Sequence, residues 1–506
     1  MHGMNRVNRK VVVIGAGPGG LTAAMLLAHQ GCEVNVFEKQ SYIGGRNSPL
    51  HIGDYTFDRG PTFLNMPQVL EEVFQETKRN VHDYLKLIPI DPMYRLVFEG
   101  VEFDAHRVRE QMIAEIKRCF PGDEGGYDRF MEQEAVKLRA LSPILQNKHD
   151  SWFDYLRPDV LRALPHLSLG KSLYECLSNY FTDERLKLAF TFQAKYLGMS
   201  PWECPGAFTI LSYIEHAFGI YHPIGGVHRI CEAMATVVEE CGGHVHTDLG
   251  VKKIITQGKQ VTGVELENGE IVEADEVVIN ADFAHAMTHL LEPDTVRAYS
   301  LPKLARKQFS CSTFMLYLGV DKQYDLPHHS ILFSHDYKEN VEDITKRGVL
   351  SQDPSIYVHN PVVTDASLAP VGCSAIYILA PVANNRSGID WSQASAGFRE
   401  KVLKLVEDRG GFTDLRQHIV EERMITPVDW EAQHYVYEGA TFNLAHNLRQ
   451  MMHLRPHNRF DELANCWLVG GGTHPGSGLP TIMESARITA QGIVADEHKR
   501  QLKGKG

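Results

Sequence analysis

Gly15-Ala16-Gly17-Pro18-Gly19-Gly20 has the glycine spacing that brings a main chain against a diphosphate. Gly15 permits a tight turn, Gly17 removes the side chain where the backbone approaches the pyrophosphate, and Gly20 allows close packing of helix on strand. Pro18 and Gly19 open the helix, whose free N–H groups and partial positive charge suit phosphate oxygens. Glu38, at the end of the next apolar run, is placed to accept hydrogen bonds from a ribose diol. A carboxylate there repels a 2′-phosphate and argues against NADP. The chemistry written into these residues is dinucleotide binding.

Such a turn works only between a strand and a helix, and both are legible. Lys10-Val11-Val12-Val13-Ile14 reads as a strand, an alanine- and leucine-rich helix runs to Gln30-Gly31, and Glu33-Val34-Asn35-Val36-Phe37 reads as the second strand. A second junction of the same kind stands near the far end. There the strand Asn465-Cys466-Trp467-Leu468-Val469 leads into Gly470-Gly471-Gly472-Thr473-His474-Pro475-Gly476-Ser477-Gly478-Leu479-Pro480, and a helix follows over 481–495. The start of that helix supplies N–H donors and positive potential to whatever lies on it.

Between the junctions, helical spacing marks residues 66–74, most of 107–197, and 227–241. Strand-like runs cover 94–98 and 101–103 about Glu99-Gly100, then Val245 with 251–255, 261–266 and 271–278, ending at Asn280-Ala281-Asp282. Asn268-Gly269 marks a hairpin between the last two runs. Farther on, 312–320 and 374–381 read as strands, 392–408 and 414–422 as helices. Trp152, Phe153, Leu156, Val160, Leu161 and Leu164, near Arg157 and Arg162, suit a monotopic membrane patch, although core packing explains the same spacing and Pro158 breaks it. The low-charge run over 205–214 reads either as the wall of an apolar ligand tunnel or as a buried helix.

A chain of 506 residues can bury a large core in more than one domain, and its net charge of -12 argues against nucleic acid as a partner. Any membrane attraction must therefore be local and apolar. Nine scattered cysteines without a CxxC pair suit free thiols in a reducing compartment. Met1–Arg6 leave no room for a signal peptide, no run reaches the length of a membrane span, and the basic tail over 498–506 reads as a solvated terminus. The expected location is cytoplasmic, soluble or attached to one membrane face. The histidines at 285, 289, 328, 329 and 335 lack metal-ligand spacing, so no metal is expected.

The continuation Glu38-Lys39, Gly44-Gly45-Arg46 and Gly60-Pro61-Thr62 resembles the large flavoprotein group that includes amine oxidases and carotenoid desaturases. That resemblance implies FAD, with Arg46 near the pyrophosphate. Gly472 to Pro480, followed by Glu484-Ser485-Ala486-Arg487, resembles the C-terminal signature of bacterial-type phytoene desaturases and their C30 relatives. Pro223-Ile224-Gly225-Gly226 is similar to that family's opening of the central helix. The implied fold is α/β: a Rossmann-type, amine oxidase/GDI-like FAD-binding domain over 7–75, 222–285 and 456–500. It is interleaved with a mixed-sheet substrate domain over 286–455 and a mainly helical, membrane-facing region over 76–221.

The implied FAD contacts are Gly15, Gly17, Pro18, Gly19, Gly20, Glu38 and Lys39 in the first junction, then Gly44, Gly45, Arg46, Gly60, Pro61 and Thr62. Val251 touches the adenine side by its backbone, and Gly471, Gly472, Gly478, Leu479 and Pro480 lie by the flavin. The implied function is an FAD-dependent desaturase that introduces C=C bonds into a long isoprenoid hydrocarbon by hydride transfer to flavin N5. His474 is the candidate polar group beside the flavin, and the general base is unassigned. A related carotenoid oxidase or ketolase, a carotene isomerase, a hydroxysqualene dehydroxylase and a non-enzymatic prenyl-binding chaperone remain open, as does a homo-oligomer.

Overall fold

The computed structural model describes residues 9–148, 152–168 and 170–503. Met1–Arg6 and the last three residues of the basic tail, Gly504-Lys505-Gly506, lie outside the described residues, as do Val7 and Asn8 of the expected first domain.

The strand Lys10–Ile14 has four consecutive apolar residues, all buried. A parallel strand covered on both faces needs this pattern rather than alternation. Val11 and Val13 pack into one apolar cluster, Val12 and Ile14 into another on the opposite face. The strand pairs in parallel with Glu33–Phe37 on one side and Glu276–Ile279 on the other. His244–His246 and Cys466–Leu468 complete a five-stranded parallel sheet at its two edges. Helices Pro18–His29, Arg229–Glu240 and Leu479–Lys503 supply the core on one face. The antiparallel meander Val251–Gln257, Gln260–Leu266 and Ile271–Glu273 lies on the other. One sheet thus collects strands from widely separated parts of the chain.

Two expected strands divide. Val245 does not join the run at Val251; it sits in the parallel edge strand His244–His246. Residues 271–278 split after Glu273, the first part closing the meander and Glu276–Ile279 entering the centre of the parallel sheet. The split follows burial: Ile271 and Glu273 are exposed, whereas Glu276, Val277, Val278 and Ile279 are all buried.

A second, seven-stranded sheet runs in the order Ile419–Ile425, Ser312–Val320, Ser374–Val382, Ile356–His359, His329–Leu332, Tyr94–Phe98, Val101–Ala105. All neighbours are antiparallel except His329–Leu332 with Tyr94–Phe98. Strand alternation gives the sheet two different faces. Phe314, Leu316, Ile376 and Ile378 pack against helix Trp391–Gly410 through Trp391, Phe398 and Val402. Met315, Tyr317 and Tyr377 face the other way.

The expected helix over 414–422 is corrected here. A short turn at Leu415–Gln417 is followed by the edge strand Ile419–Ile425, paired antiparallel with Ser312–Val320. Glu421-Glu422-Arg423 has good helix formers, but a free sheet edge offered the backbone a ladder, and charged residues suit such an edge. Residues 76–221, expected as mainly helical, contain Arg109–Cys119 and Glu124–Leu145 but also contribute the Tyr94–Phe98 hairpin to the second sheet. Among the described residues no helix is long and apolar enough to cross a membrane. In the proposed membrane face, Phe153, Leu156, Leu161 and Leu164 are exposed, while Val160 is buried with Leu138 and Leu141; the side chain of Trp152 lies outside the described residues.

Candidate functional site

The first glycine junction is closed by backbone and by the Asn280 side chain, which leave no room for a Cβ at Gly17 or Gly20. Gly15 has φ +95° and its N–H donates to the Phe37 carbonyl at 2.8 Å. A Cβ on Gly20 would lie 2.3 Å from the Gly15 oxygen, and one on Gly17 would lie 2.9 Å from Asn280 Nδ2. Gly17 caps helix Pro18–His29 without any side-chain hydrogen bond, so the helix start keeps its N–H groups for an anion. The next loop folds back onto this turn: the Gly44 N–H donates to the Ala16 carbonyl at 2.8 Å, and Arg46 Nη1 donates to the Thr441 carbonyl at 2.6 Å.

Glu38 is buried, with Oε2 accepting from the Ala16 N–H at 2.8 Å and Oε1 from the Gln40 N–H at 2.9 Å. Burial raises its pKa in spite of these bonds. Among the described residues no cation pairs with it, which suits an acceptor for donors such as ribose hydroxyls.

The second junction meets the first. A Cβ on Gly19 would lie 3.0 Å from Ile482 Cγ2 and 3.3 Å from the Gly470 nitrogen. Gly470 and Gly478 have φ of +105° and +110°, and a Cβ on Gly472 would lie 2.5 Å from Phe283 Cβ. Beneath this loop Arg455 is almost wholly buried, its Nη2 donating to the Gly471 carbonyl at 2.6 Å and its Nε to the Thr473 carbonyl at 3.0 Å.

Both junctions open on one cavity of about 970 Å³. Its floor includes Gly15, Gly17, Pro18, Gly19, Glu38 and Lys39, then Gly44, Gly45, Arg46, Gly60, Pro61 and Thr62. Val251 lines it too, as do Gly471, Gly472, Gly478 and Leu479 of the second junction. The second sheet adds Thr313, Met315, Tyr377, Leu379 and Pro381, spaced by two along their strands, with Ile331, Ile356 and Tyr357, and the segment 430–443 adds Trp430, Tyr435, Tyr437 and Phe442. Polar tips in this part are already engaged. Tyr377 donates to the Gly60 carbonyl at 3.1 Å, Tyr357 shares a hydrogen bond with Thr62 at 2.5 Å, and Trp430 Nε1 donates to Thr313 Oγ1 at 3.0 Å. What remains toward the space is largely apolar and aromatic, a surface for a hydrocarbon rather than a charged substrate.

The model of the family described as flavin containing amine oxidoreductase matches residues 18–494. A 4,4'-diapophytoene desaturase (4,4'-diapolycopene-forming) from Methylomonas sp is 49% identical over 98% of this chain and 97% of its own length. The zeta-carotene-forming phytoene desaturase of Myxococcus xanthus is 38% identical over 97% and 95%. The chain belongs to the bacterial carotenoid desaturase family. Among solved structures, an oxidoreductase from Methanosarcina mazei has a TM-score of 0.63 at 20% identity, covering 95% of this chain and 100% of that one. A putrescine oxidase variant has a TM-score of 0.63 at 13% identity, covering 97% and 99%. These two likenesses show the fold.

This carotenoid desaturase-family protein is an FAD-dependent oxidoreductase, and its residues fit the cofactor. The uncapped helix start, the Gly17 approach and the buried, cation-free Glu38 match a diphosphate and a ribose. Residues of both junctions line the same cavity. Among the expected contacts, Gly20, Pro480 and His474 do not line the cavity. Gly20 instead lets the helix seat on the first strand. His474 is buried behind the glycine loop, its Nε2 2.9 Å from the Asn147 carbonyl oxygen. The low-charge run over 205–214 contributes nothing to this cavity's lining; Ile210 and Ile214 pack into a separate apolar cluster.

Sequence reasoning missed Asn280, which donates to the Gly15 carbonyl at 3.0 Å and whose side chain lies 2.8–2.9 Å from where a Cβ on Gly17, Gly19 or Gly20 would stand. It missed Asp282, held by Asn443 Nδ2 at 2.8 Å, and Arg455. The strand ending Asn280-Ala281-Asp282 was visible, but nothing in it said that it would run beside the first glycine turn. His328, which lacks metal-ligand spacing in the sequence, comes together in space with His222 and His359 in a buried group.

Proposed function

We propose that this protein desaturates 4,4′-diapophytoene or a closely similar long isoprenoid hydrocarbon. The observation that carries the reading is one cavity in which a dinucleotide cradle runs into an apolar sheet face. The 49% identity to a diapophytoene desaturase supports this substrate class. When bound, FAD supplies hydride acceptance, which the removal of hydrogens from neighbouring carbons requires. The chain's own residues bind and orient. The first helix start and Glu38 hold the diphosphate and ribose, and Arg455 holds the carbonyls of the glycine loop. The face carrying Met315, Tyr377 and Leu379 lies against the hydrocarbon and keeps water away from the reacting carbons.

A hydrocarbon of this kind resides in a bilayer, and exposed Phe153, Leu156, Leu161 and Leu164 form the membrane contact in this reading. A second reading is supported by the 32% identity to the 4,4'-diapolycopen-4-al dehydrogenase of Metabacillus indicus, which favours oxidation at a chain end. Expression in a host that accumulates 4,4′-diapophytoene, followed by chromatography, separates the two. The expected outcome is a series of more conjugated hydrocarbons. Terminally oxygenated products favour the second reading, and an untouched diapophytoene pool beside flavin-loaded protein removes the first.

A further inference from the structure

His222, His328 and His359 are far apart in the chain and meet behind the wall of the cavity. His222 lies in strand Ile220–Pro223, which pairs with Leu64–Asn65 and Leu87–Pro89. His359 ends strand Ile356–His359, and His328 directly precedes its neighbour His329–Leu332, both in the seven-stranded sheet. All three are buried, and one nitrogen of each lies within 4.8 Å of the other two.

Outer partners orient two of them, His222 and His328, as metal-bound imidazoles are oriented. Asp365 Oδ2 lies 3.2 Å from His222 Nε2, and Thr364 Oγ1 lies 2.7 Å from His328 Nδ1. A carboxylate or hydroxyl on one ring nitrogen fixes the tautomer and leaves the other nitrogen for a cation. The nitrogen left on His222 is Nδ1, buried and without any hydrogen-bond partner. The one left on His328 is Nε2, which lies 3.0 Å from His359 Nε2. Three nitrogens at zinc bonding distance in a tetrahedron stand roughly 3.3 Å apart, so small ring shifts close the site.

A plain hydrogen bond between His328 and His359 accounts for that pair. It leaves His222 Nδ1 buried and unsatisfied, which is unfavourable. A cation satisfies all three nitrogens together. The Asp365 carboxylate is already committed to His222, the Gly225 N–H and Ser367, so the donor set is purely imidazole. That composition suits zinc and its neighbours in the first transition row and does not suit calcium or magnesium.

We propose that His222, His328 and His359 bind a zinc-class divalent cation that clasps strand Ile220–Pro223 to the seven-stranded sheet. The clasp is structural. The strand it holds leads through Gly225-Gly226 into helix Arg229–Glu240, which packs on the first dinucleotide helix. On the sheet side, Tyr357 lies in the same strand as His359 and lines the cavity. The ion therefore sets the spacing between the cofactor cradle and the apolar face, with three protein ligands and one position left for water.

Tag-free, flavin-loaded protein is stripped with a chelator, incubated with Zn²⁺ or Co²⁺, desalted and assayed for metal. Expected are about one zinc per chain, visible tetrahedral Co²⁺ bands, and a Tm several degrees higher with Zn²⁺ than with Mg²⁺. His359→Gln should lose the metal and the Tm response while keeping its flavin absorbance; His335→Gln, at an exposed histidine outside the group, should change neither. Should His359→Gln not fold, the Co²⁺ spectrum of the wild-type protein decides. Wild-type protein that retains less than about a tenth of an ion per chain overturns the proposal, as does full metal content in His359→Gln.

Discussion

Gly17 and Gly20 sit three residues apart and forbid side chains for different reasons. At Gly17 the obstacle is the end of a side chain, Asn280 Nδ2, beside the cavity; at Gly20 it is the Gly15 backbone oxygen. Gly17→Leu should therefore yield folded protein without flavin, whereas Gly20→Leu should fail to fold. Flavin absorbance relative to protein, read beside circular dichroism, checks both, and normal flavin content in Gly17→Leu would place the diphosphate elsewhere. Glu38→Gln keeps the shape and removes the charge. Losing a charge-assisted bond to ribose should weaken FAD by about tenfold, or about 1.4 kcal/mol. A titration of flavin-free protein with FAD measures it; equal affinity in the two proteins would leave the ribose bound by other groups. These glycines and Glu38 were legible because each is a residue type demanded by its local backbone. Asn280 and Arg455 were not, since either type serves equally well on a surface.

Helix Ile210–Phe218 shows what a nearly uncharged run conceals. Its one acid, Glu215, is fully buried, with Tyr94 donating to Oε2 at 3.1 Å and Gln193 Nε2 at 2.9 Å. Burial raises its pKa from 4.5 to about 7, against the opposing pull of the Gln193 and Tyr94 hydrogen bonds. Between those two values the folded protein holds a proton that the unfolded chain has released. Stability from this group is thus complete below pH 4.5, falls as pH rises through about 7, and is level above it. The loss amounts to about 3 kcal/mol. Glu215→Gln should melt at a higher temperature than wild type at pH 8 and at the same temperature near pH 4.5. Melting curves that stay parallel across this range would show that Glu215 titrates normally. The strand Ile419–Ile425 teaches the complementary lesson: its residues favour a helix locally, and pairing with Ser312–Val320 outweighs that preference.

At the scale of the molecule, a net charge of -12 sets the terms for any membrane contact. Attraction must come from apolar area, since anionic lipid repels the chain as a whole. The protein should sediment with neutral vesicles at least as well as with anionic ones. Exchanging the exposed Phe153 and Leu161 for aspartate should leave it in the supernatant with its flavin spectrum unchanged. Equal sedimentation of the double variant would move the contact to another surface, and wild-type protein that never sediments would remove it. The proposed contact and the cavity wall draw on different parts of the chain. The apolar cavity wall comes from strands over 312–382, and the exposed apolar residues from 153–164.

The sequence by itself determined the parts whose conformation is local. A glycine that must take positive φ, an unbroken β-branched strand and an acid at a strand end announce themselves, and so the dinucleotide cradle was readable at both ends of the chain. Strands 312–320 and 374–381 were equally plain, because apolar runs of that length had to be buried. Tertiary structure decided everything that depends on a neighbour from elsewhere. It divided residues 271–278 between two sheets, turned 414–422 from helix to edge strand, and set Asn280 against the glycine turn. It also drew three solitary histidines into one buried group. Backbone strain and burial leave marks in the residues that bear them, whereas a long-range contact belongs to a pair, and one member of a pair does not name the other.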